Sequence, residues 1–171
     1  MIMKYSFVVI ASALLLLSCE YENEHTEIKD VNWQNRAVNT VIRDSLEEGA
    51  TFLSVYSQIY SQNEHRKHDL TATISMRNTS SRDTIYFDHA EYFDTHGKSI
   101  RSYFEKTIYV APLETVEIVI NESDPAGGTG GNFIFDWKKK PETSEPIFDC
   151  VMISTSGQQG LSFTTEGKRI K

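Results

Sequence analysis

The fold is decided by the segment Leu70-Thr71-Ala72-Thr73-Ile74-Ser75-Met76-Arg77, in which apolar residues alternate strictly with polar ones. A period of two places the apolar side chains on one face of a β-strand and the polar side chains on the other. The pattern then ends at Asn78-Thr79-Ser80-Ser81, a run of residues that favour turns. The segment therefore predicts a half-buried strand followed by a turn.

The same alternation recurs after residue 50, beginning with Leu53, Val55 and Ile59. Further strand-like runs, separated by turn residues, are 84–93, 99–104, 107–110, 115–120, 132–137, 147–154 and 161–165. No helical block alternates with these runs, which disfavours a parallel α/β sheet. The polar stretch 64–69 is interpreted as a hairpin connection. We therefore predict an all-β domain over residues 51–171, an immunoglobulin-like antiparallel β-sandwich of about seven to nine strands.

Residues 1–18 are typical of an export signal. Lys4 precedes an apolar run of about 11 residues, which is shorter than the ~20 needed for a membrane-spanning helix and fits a secretory signal peptide. The run ends in Leu16-Leu17-Ser18-Cys19, which resembles the bacterial lipobox, where a cysteine after a small residue is acylated. A plain signal peptide with an incidental cysteine is the alternative. We predict a lipoprotein signal peptide over 1–18 and lipid attachment at Cys19.

The residues after Cys19 bear on location. Glu20 stands where enteric inner-membrane lipoproteins have aspartate, and Glu22 and Glu24 follow. Two or more acyl chains suffice for stable attachment to a bilayer. We expect an outer-membrane lipoprotein of the cell envelope with the membrane as a partner through its lipid anchor, and the sequence leaves open whether it faces the periplasm or the cell surface.

Residues 19–50 are predicted to form the lipidated N-terminus and a polar spacer. Val38, Val41, Ile42 and Leu46 recur at helical spacing, and Gly49 is a plausible helix end. One short helix and a tail disordered throughout are both compatible with this composition.

The charge balance excludes one class of partner. The chain of 171 residues has 17 Lys and Arg against 24 Asp and Glu, with a formal net charge of −7. Because binding by phosphate neutralisation depends on clustered Lys and Arg, nucleic acid is not an expected partner. Once Cys19 is lipidated, Cys150 is the one thiol left, and its alternation with Asp149 predicts a buried apolar residue.

The loop 121–131 is the most unusual stretch, with four glycines among the five residues 127–131. Glycines permit positive φ angles and close backbone approach, and such a loop could form an amide nest for an anion. Phosphate loops open a helix, whereas this loop leads into a strand with no following lysine, so no nucleotide or other cofactor is expected. A plain connection between strands is the alternative. The candidate binding loop for an unknown envelope protein or glycan consists of Gly127, Gly128, Thr129, Gly130, Gly131 and Asn132.

The next strand places Phe133, Phe135 and Trp137 on one face. An exposed stripe of this kind could stack on sugar rings, but aromatic residues at a period of two favour the interior of a sandwich. The run Lys138-Lys139-Lys140 is predicted to be a solvated strand end.

Potential metal ligands are concentrated in Asp88, His89, Asp94 and His96. Only alternate residues of a strand share a face, so these side chains do not converge without a bend, and no metal site is assigned. The turn 94–98 is interpreted as a hairpin that Asp94 caps and in which a glycine adopts a left-handed conformation.

Five blocks of the domain, residues 55–60, 71–79, 92–98, 127–133 and 151–155, resemble successive blocks of a bacterial family known as domain of unknown function 3124. The resemblance covers about residues 51–170, with small departures at Gly131 and Ser154. It implies an exported protein of no assigned activity and no catalytic residues.

No serine-hydrolase, zincin or Ser-x-x-Lys motif is present, and no catalytic residue is assigned. The leading hypothesis is a lipid-anchored, non-enzymatic binding or structural module of the envelope. One alternative is an envelope glycan hydrolase or accessory domain that uses carboxylates such as Asp88, Glu91 or Asp94. The other is a divalent-metal-binding protein.

Overall fold

The computed structural model describes residues 31–39, 45–155 and 160–171, which lie within the compact unit Val31–Lys171. The predicted signal peptide, Cys19, and residues 41 and 42 of the predicted helix lie outside the described residues. The helical content of the described part is one 3-10 helix, Trp33–Arg36, which Asn32 caps by accepting a hydrogen bond from the Asn35 amide at 3.2 Å. Within those three ranges, no helix has the length and hydrophobicity needed to cross a bilayer.

Twelve strands follow in the described part of the chain. They are β1 Glu47–Ser54, β2 Gln58–Ser61, β3 Asn63–Asp69, β4 Thr71–Arg77, β5 Ile85–Phe93, β6 Ser99–Ser102, β7 Ile108–Val110, β8 Thr115–Ile120, β9 Asn132–Lys139, β10 Ile147–Ser154, β11 Leu161–Glu166 and β12 Lys168–Arg169. Every pairing between them is antiparallel. The predicted all-β antiparallel sandwich is confirmed.

The strands form two facing sheets and one hairpin. The larger sheet has the order β12-β1-β9-β5-β6, with β7 also paired to β5, and the smaller has the order β11-β10-β4-β8. The hairpin β2-β3 connects β1 of the larger sheet to β4 of the smaller one. At Gly167 the chain passes from β11 to β12, and the Ile170 amide then donates to the Ala50 carbonyl at 2.8 Å. The last residues of the chain therefore continue the pairing with β1.

Aromatic side chains fill the space between the two sheets. Phe133, Phe135 and Trp137 are at most 1% exposed, which confirms that they face the interior. Phe148, from the opposite sheet, stacks on Phe135 with ring centroids 4.4 Å apart. Cys150 is also fully buried, as its alternation predicts. Burial of such large side chains is the main source of stability for the sandwich.

Gly49 does not end a helix, because it lies within β1 opposite Trp137. A Cβ at Gly49 would lie 2.3 Å from the Trp137 ring, so the indole occupies the space where a side chain would be. The prediction that Gly49 ends a helix was therefore wrong. Glycine is needed at this position because of a contact between distant parts of the chain.

Lys139 is 4% exposed, although the sequence predicts a solvated strand end. Its ammonium group lies 2.6 Å from the Glu47 carboxylate and donates to the Pro141 carbonyl at 3.1 Å. These partners compensate the buried charge and make Lys139 part of the end of the sandwich.

Candidate functional site

Among the connections that the structure describes in full, three meet at the end of the sandwich where β1 ends. They are the hairpin β2-β3 at residues 58–69, the β5–β6 turn at residues 94–98 and the loop 121–131, and we call them together the loop end. Asn132 pairs with both Ser54 and Phe93, and this pairing brings the connections to the same end of the sandwich. Because β1 begins at the opposite end of the sandwich, about 26 Å of strand separates its first residue from the loop end.

Hydrogen bonds join the loop 121–131 to both of its neighbours. The Thr95 hydroxyl donates to the Gly127 carbonyl and accepts from the Gly130 amide, both at 3.0 Å. On the other side, the Gln58 amide donates to the Gly128 carbonyl at 3.0 Å. The three connections of the loop end therefore form one continuous surface.

The glycines allow the loop to pack closely on the sheet. A Cβ at Gly127 would lie 1.8 Å from the Tyr92 hydroxyl, and a Cβ at Gly131 would lie 3.0 Å from the Val55 carbonyl oxygen. Gly128 has a φ of +67°, which other residues rarely adopt. Its amide donates to the Pro125 carbonyl at 2.9 Å. Two of the loop's amides, those of residues 128 and 130, are thus occupied within the protein and do not form an open nest for an anion.

Tyr92 lies directly beneath the loop. Its side chain is fully buried and stacks on Phe133, with ring centroids 4.7 Å apart. Its hydroxyl makes no hydrogen bond, although Ser57 lies close by. Burial raises the pKa of Tyr92 to about 12, and the nearby Ser57 hydroxyl opposes this shift only in part. This buried hydroxyl therefore stays protonated at neutral pH.

An ion pair fixes the first half of the loop to β6. Arg101 donates to the Asp124 carboxylate at 2.8 Å and to the Tyr103 hydroxyl at 3.1 Å. The Arg101 guanidinium lowers the pKa of Asp124 below its ordinary value. In the second half, Thr129 and Asn132 are partly exposed. Of the predicted binding loop, the side chains that reach the surface are therefore those of Thr129 and Asn132.

Asp88 sits at a β-bulge, where the register between β5 and β9 shifts. Its carboxylate accepts from the Thr107 hydroxyl at 2.8 Å and pairs with the Lys138 ammonium at 2.8 Å. His89 instead lies 3.1 Å from Glu91. Convergence of the four candidate metal ligands would need a bend in β5, and the bulge is such a bend. At the bulge, however, the Asp88 carboxylate faces the Lys138 ammonium.

Asp94 caps the β5–β6 turn, as the sequence predicts. Its carboxylate accepts from the His96 amide at 2.8 Å and from the Lys98 amide at 2.9 Å, and Gly97 has a φ of +76°. Within the described ranges, no three His, Cys, Asp or Glu side chains are grouped to hold a metal ion. The structure therefore does not bring Asp88, His89, Asp94 and His96 together.

Glu91 and Asp94 also lack the raised pKa expected of a general acid. Hydrogen bonds from Ser99 and His89 lower the pKa of Glu91, and the turn amides lower that of Asp94. A glycosidase acid needs a raised pKa in order to hold its proton near neutral pH. The geometry gives no support to a hydrolase that uses these groups.

The residues that organise the site were not found from the sequence. Thr95 is one residue of a turn and Tyr92 one of many alternating aromatic residues, so neither carries a local signal. Their importance comes from contact with residues 127–130, more than 30 positions later.

The fold defines a two-sheet antiparallel β-sandwich protein, in which the loop 121–131, the hairpin β2-β3 and the β5–β6 turn lie at one end. The sequence matches the family described as protein of unknown function (DUF3124) over residues 48–170, and the chain belongs to this family. The match confirms the resemblance inferred over residues 51–170.

No curated protein matches the sequence. Among solved structures, the chain is similar to the crystal structure of Thermotoga maritima 1070, with a TM-score of 0.45 and 7% sequence identity. The similarity covers 74% of this chain and 96% of the other.

Proposed function

We propose that this protein is a non-enzymatic binding module of the bacterial cell envelope, held on a membrane by lipid at Cys19. Its loop end is the surface offered to a partner. The observation that carries the proposal is the set of hydrogen bonds through which Thr95 and Gln58 join three connections into one surface. A surface that is fixed before binding loses less conformational entropy when a partner docks.

The loop end lies far from the first residue of β1. β1 begins at Glu47, at the end of the sandwich opposite the loop end. We propose that this end of the sandwich is the surface accessible to an envelope protein or glycan. The lipobox and the acidic residues after Cys19 favour the outer membrane.

Site-specific crosslinking in intact cells tests the binding surface. We would place a photoreactive amino acid at His96 or at Ser123, both exposed at the loop end, and at exposed Glu142 at the opposite end as the control. We expect a defined crosslinked partner from the first two positions and none from the third. Equal crosslinking from Glu142, or no partner from the loop end, would contradict the proposal.

Fractionation tests the anchor separately. Cys19→Ala should move the protein from the membrane fraction to the soluble fraction, and globomycin should cause the unprocessed precursor to accumulate. Cys150→Ala is the matched control, because it removes the other cysteine and should leave fractionation unchanged. Retention of the Cys19→Ala protein in the membrane fraction would exclude lipid anchoring at this residue.

A further inference from the structure

A groove of about 780 Å³ runs beside the 3-10 helix, between residues 31–39 and residues 102–106. Its volume falls in the range of about 300–1,000 Å³ that is typical of small-molecule sites. Its lining contains no residue of the loop end. The groove is therefore a separate concave surface, and its chemistry can be considered by itself.

The wall formed by residues 31–39 is fixed to the sandwich at several points. Ala37 forms a β-bridge with Ile108, and the Val38 amide donates to the Thr107 carbonyl at 2.8 Å. The Arg36 guanidinium lies 2.7 Å from the Glu114 carboxylate. These contacts fix this wall of the groove against the sandwich.

Three aromatic residues line the groove. The ring of Trp33 packs at 5.4 Å from that of Phe104, which is 5% exposed. Tyr103 packs at 5.5 Å from Phe133, and its hydroxyl accepts from Arg101. Trp33 is partly exposed and so offers ring surface to the groove. Aromatic surface of this kind can cover the apolar C–H face of a pyranose ring.

The polar lining is rich in carboxamides. Asn32, Gln34 and Asn39 all line the groove and are all exposed. The carboxamides of Gln34 and Asn39 carry both hydrogen-bond donors and an acceptor, which matches a sugar hydroxyl, itself both donor and acceptor. Asn32, whose oxygen caps the 3-10 helix, offers its donors.

The charges of the lining favour a neutral ligand. Glu105 and Lys106 are its charged members among the described residues, and their charges are opposite. Recognition of phosphate or carboxylate generally uses Arg or clustered cations, and this groove provides neither.

We propose that this groove binds a neutral saccharide, with Trp33 against a sugar ring and the carboxamides of Asn32, Gln34 and Asn39 on its hydroxyls. The inference goes beyond the proposed function, which assigns no ligand, and it concerns a different surface.

Saccharide titration tests the inference directly. The probes are maltotriose, mannotriose and triacetylchitotriose, added to the full chain purified in a detergent without a sugar headgroup. We expect at least one to shift tryptophan emission saturably, because Trp33 lines the groove while Trp137 is 1% exposed. Saturation-transfer NMR would measure the same binding in variants that lack Trp33.

Three variants locate the site. Trp33→Ala should weaken binding about tenfold or more, which corresponds to about 1.4 kcal/mol. Gln34→Ala alters an exposed side chain without disturbing packing and should weaken binding about fivefold, as expected for one hydrogen bond. Tyr109→Ala removes a 40% exposed tyrosine that lies outside both the groove and the loop end, and it is the control that should bind as the unmodified protein does.

Two results would overturn the inference. One is the absence of saturable binding by all three saccharides up to about 10 mM, well above a Kd of 1 mM. The other is unchanged binding in both Trp33→Ala and Gln34→Ala. Neither result would alter crosslinking from His96 and Ser123, so the proposed function is tested independently.

Discussion

A single residue, Gly127, sets how closely the loop 121–131 packs on the sheet. Because a Cβ there would lie 1.8 Å from the Tyr92 hydroxyl, we expect Gly127→Ala to lower the free energy of unfolding by about 1–3 kcal/mol. Urea denaturation followed by circular dichroism measures the change. Gly160→Ala is the control, since the nearest atom lies 4.0 Å from its Cβ and its effect should stay within about 0.5 kcal/mol.

Tyr92→Phe separates the clash from other effects of the alanine. Alone, it removes a buried hydroxyl that makes no hydrogen bond and should be close to neutral or slightly stabilising. Combined with Gly127→Ala, it removes the hydroxyl oxygen at 1.8 Å, so that the nearest contact of the new Cβ becomes the ring carbon Cζ at 2.6 Å, and it should recover part of the loss. Strict additivity of the two substitutions would show that this contact is not the cause.

The reactivity of Cys150 allows the free thiols of the chain to be counted, and the count tests whether Cys19 carries lipid. Burial raises the pKa of the Cys150 thiol to about 12, so it should resist alkylation in the folded protein at about pH 8. In urea, the membrane-extracted protein should react with one equivalent of a thiol reagent, because Cys19 is expected to carry lipid. Two equivalents would mean that Cys19 is unmodified.

At the scale of elements, alternation in the sequence locates most strands. The runs 115–120 and 147–154 coincide with β8 and β10 because both strands have one face in the core and one in solvent. The nine expected runs become twelve strands because the first divides into β1 and β2, and because β3 and β12 carry no apolar pattern. Both faces of β3 are solvated, so its polar sequence gave no signal beyond a hairpin connection.

The candidate site is less accessible to sequence reasoning. The glycine run identifies the loop, but the loop's conformation depends on Thr95 and on the approach of Tyr92. The bulge at Asp88 likewise depends on the register with β9, which local periodicity does not determine. Long-range pairing, and not local propensity, decides these features.

The segment 31–39 should respond to acid before the core does. Arg36 lowers the pKa of Glu114 below its ordinary value of 4.5, so ionised Glu114 stabilises the folded form. This stabilisation is complete above pH 4.5 and is lost as the pH falls through the lowered pKa. We expect Trp33 emission to shift to longer wavelength in this range while circular dichroism stays constant.

Glu114→Gln is the matched control for this acid response. The amide cannot form the ion pair with Arg36 at any pH, so the separate acid step in Trp33 emission should disappear. An identical step in this variant would assign the transition to other groups.

At the scale of the whole molecule, β12 covers the edge of the larger sheet that β1 would otherwise form. β12 pairs with Thr51 and Phe52 of β1, and the Ile170 amide extends the contact to Ala50. Without this cover, β1 would present a row of free backbone donors and acceptors to other molecules.

We therefore expect residues 168–171 to protect the protein from aggregation, although they contribute little to the core. Their deletion should leave the circular dichroism spectrum nearly unchanged and yet produce concentration-dependent oligomers by light scattering. Lys168→Ala, which keeps the backbone pairing, should remain as dispersed as the unmodified protein. The backbone of these four residues therefore bears on how the protein can be handled in solution.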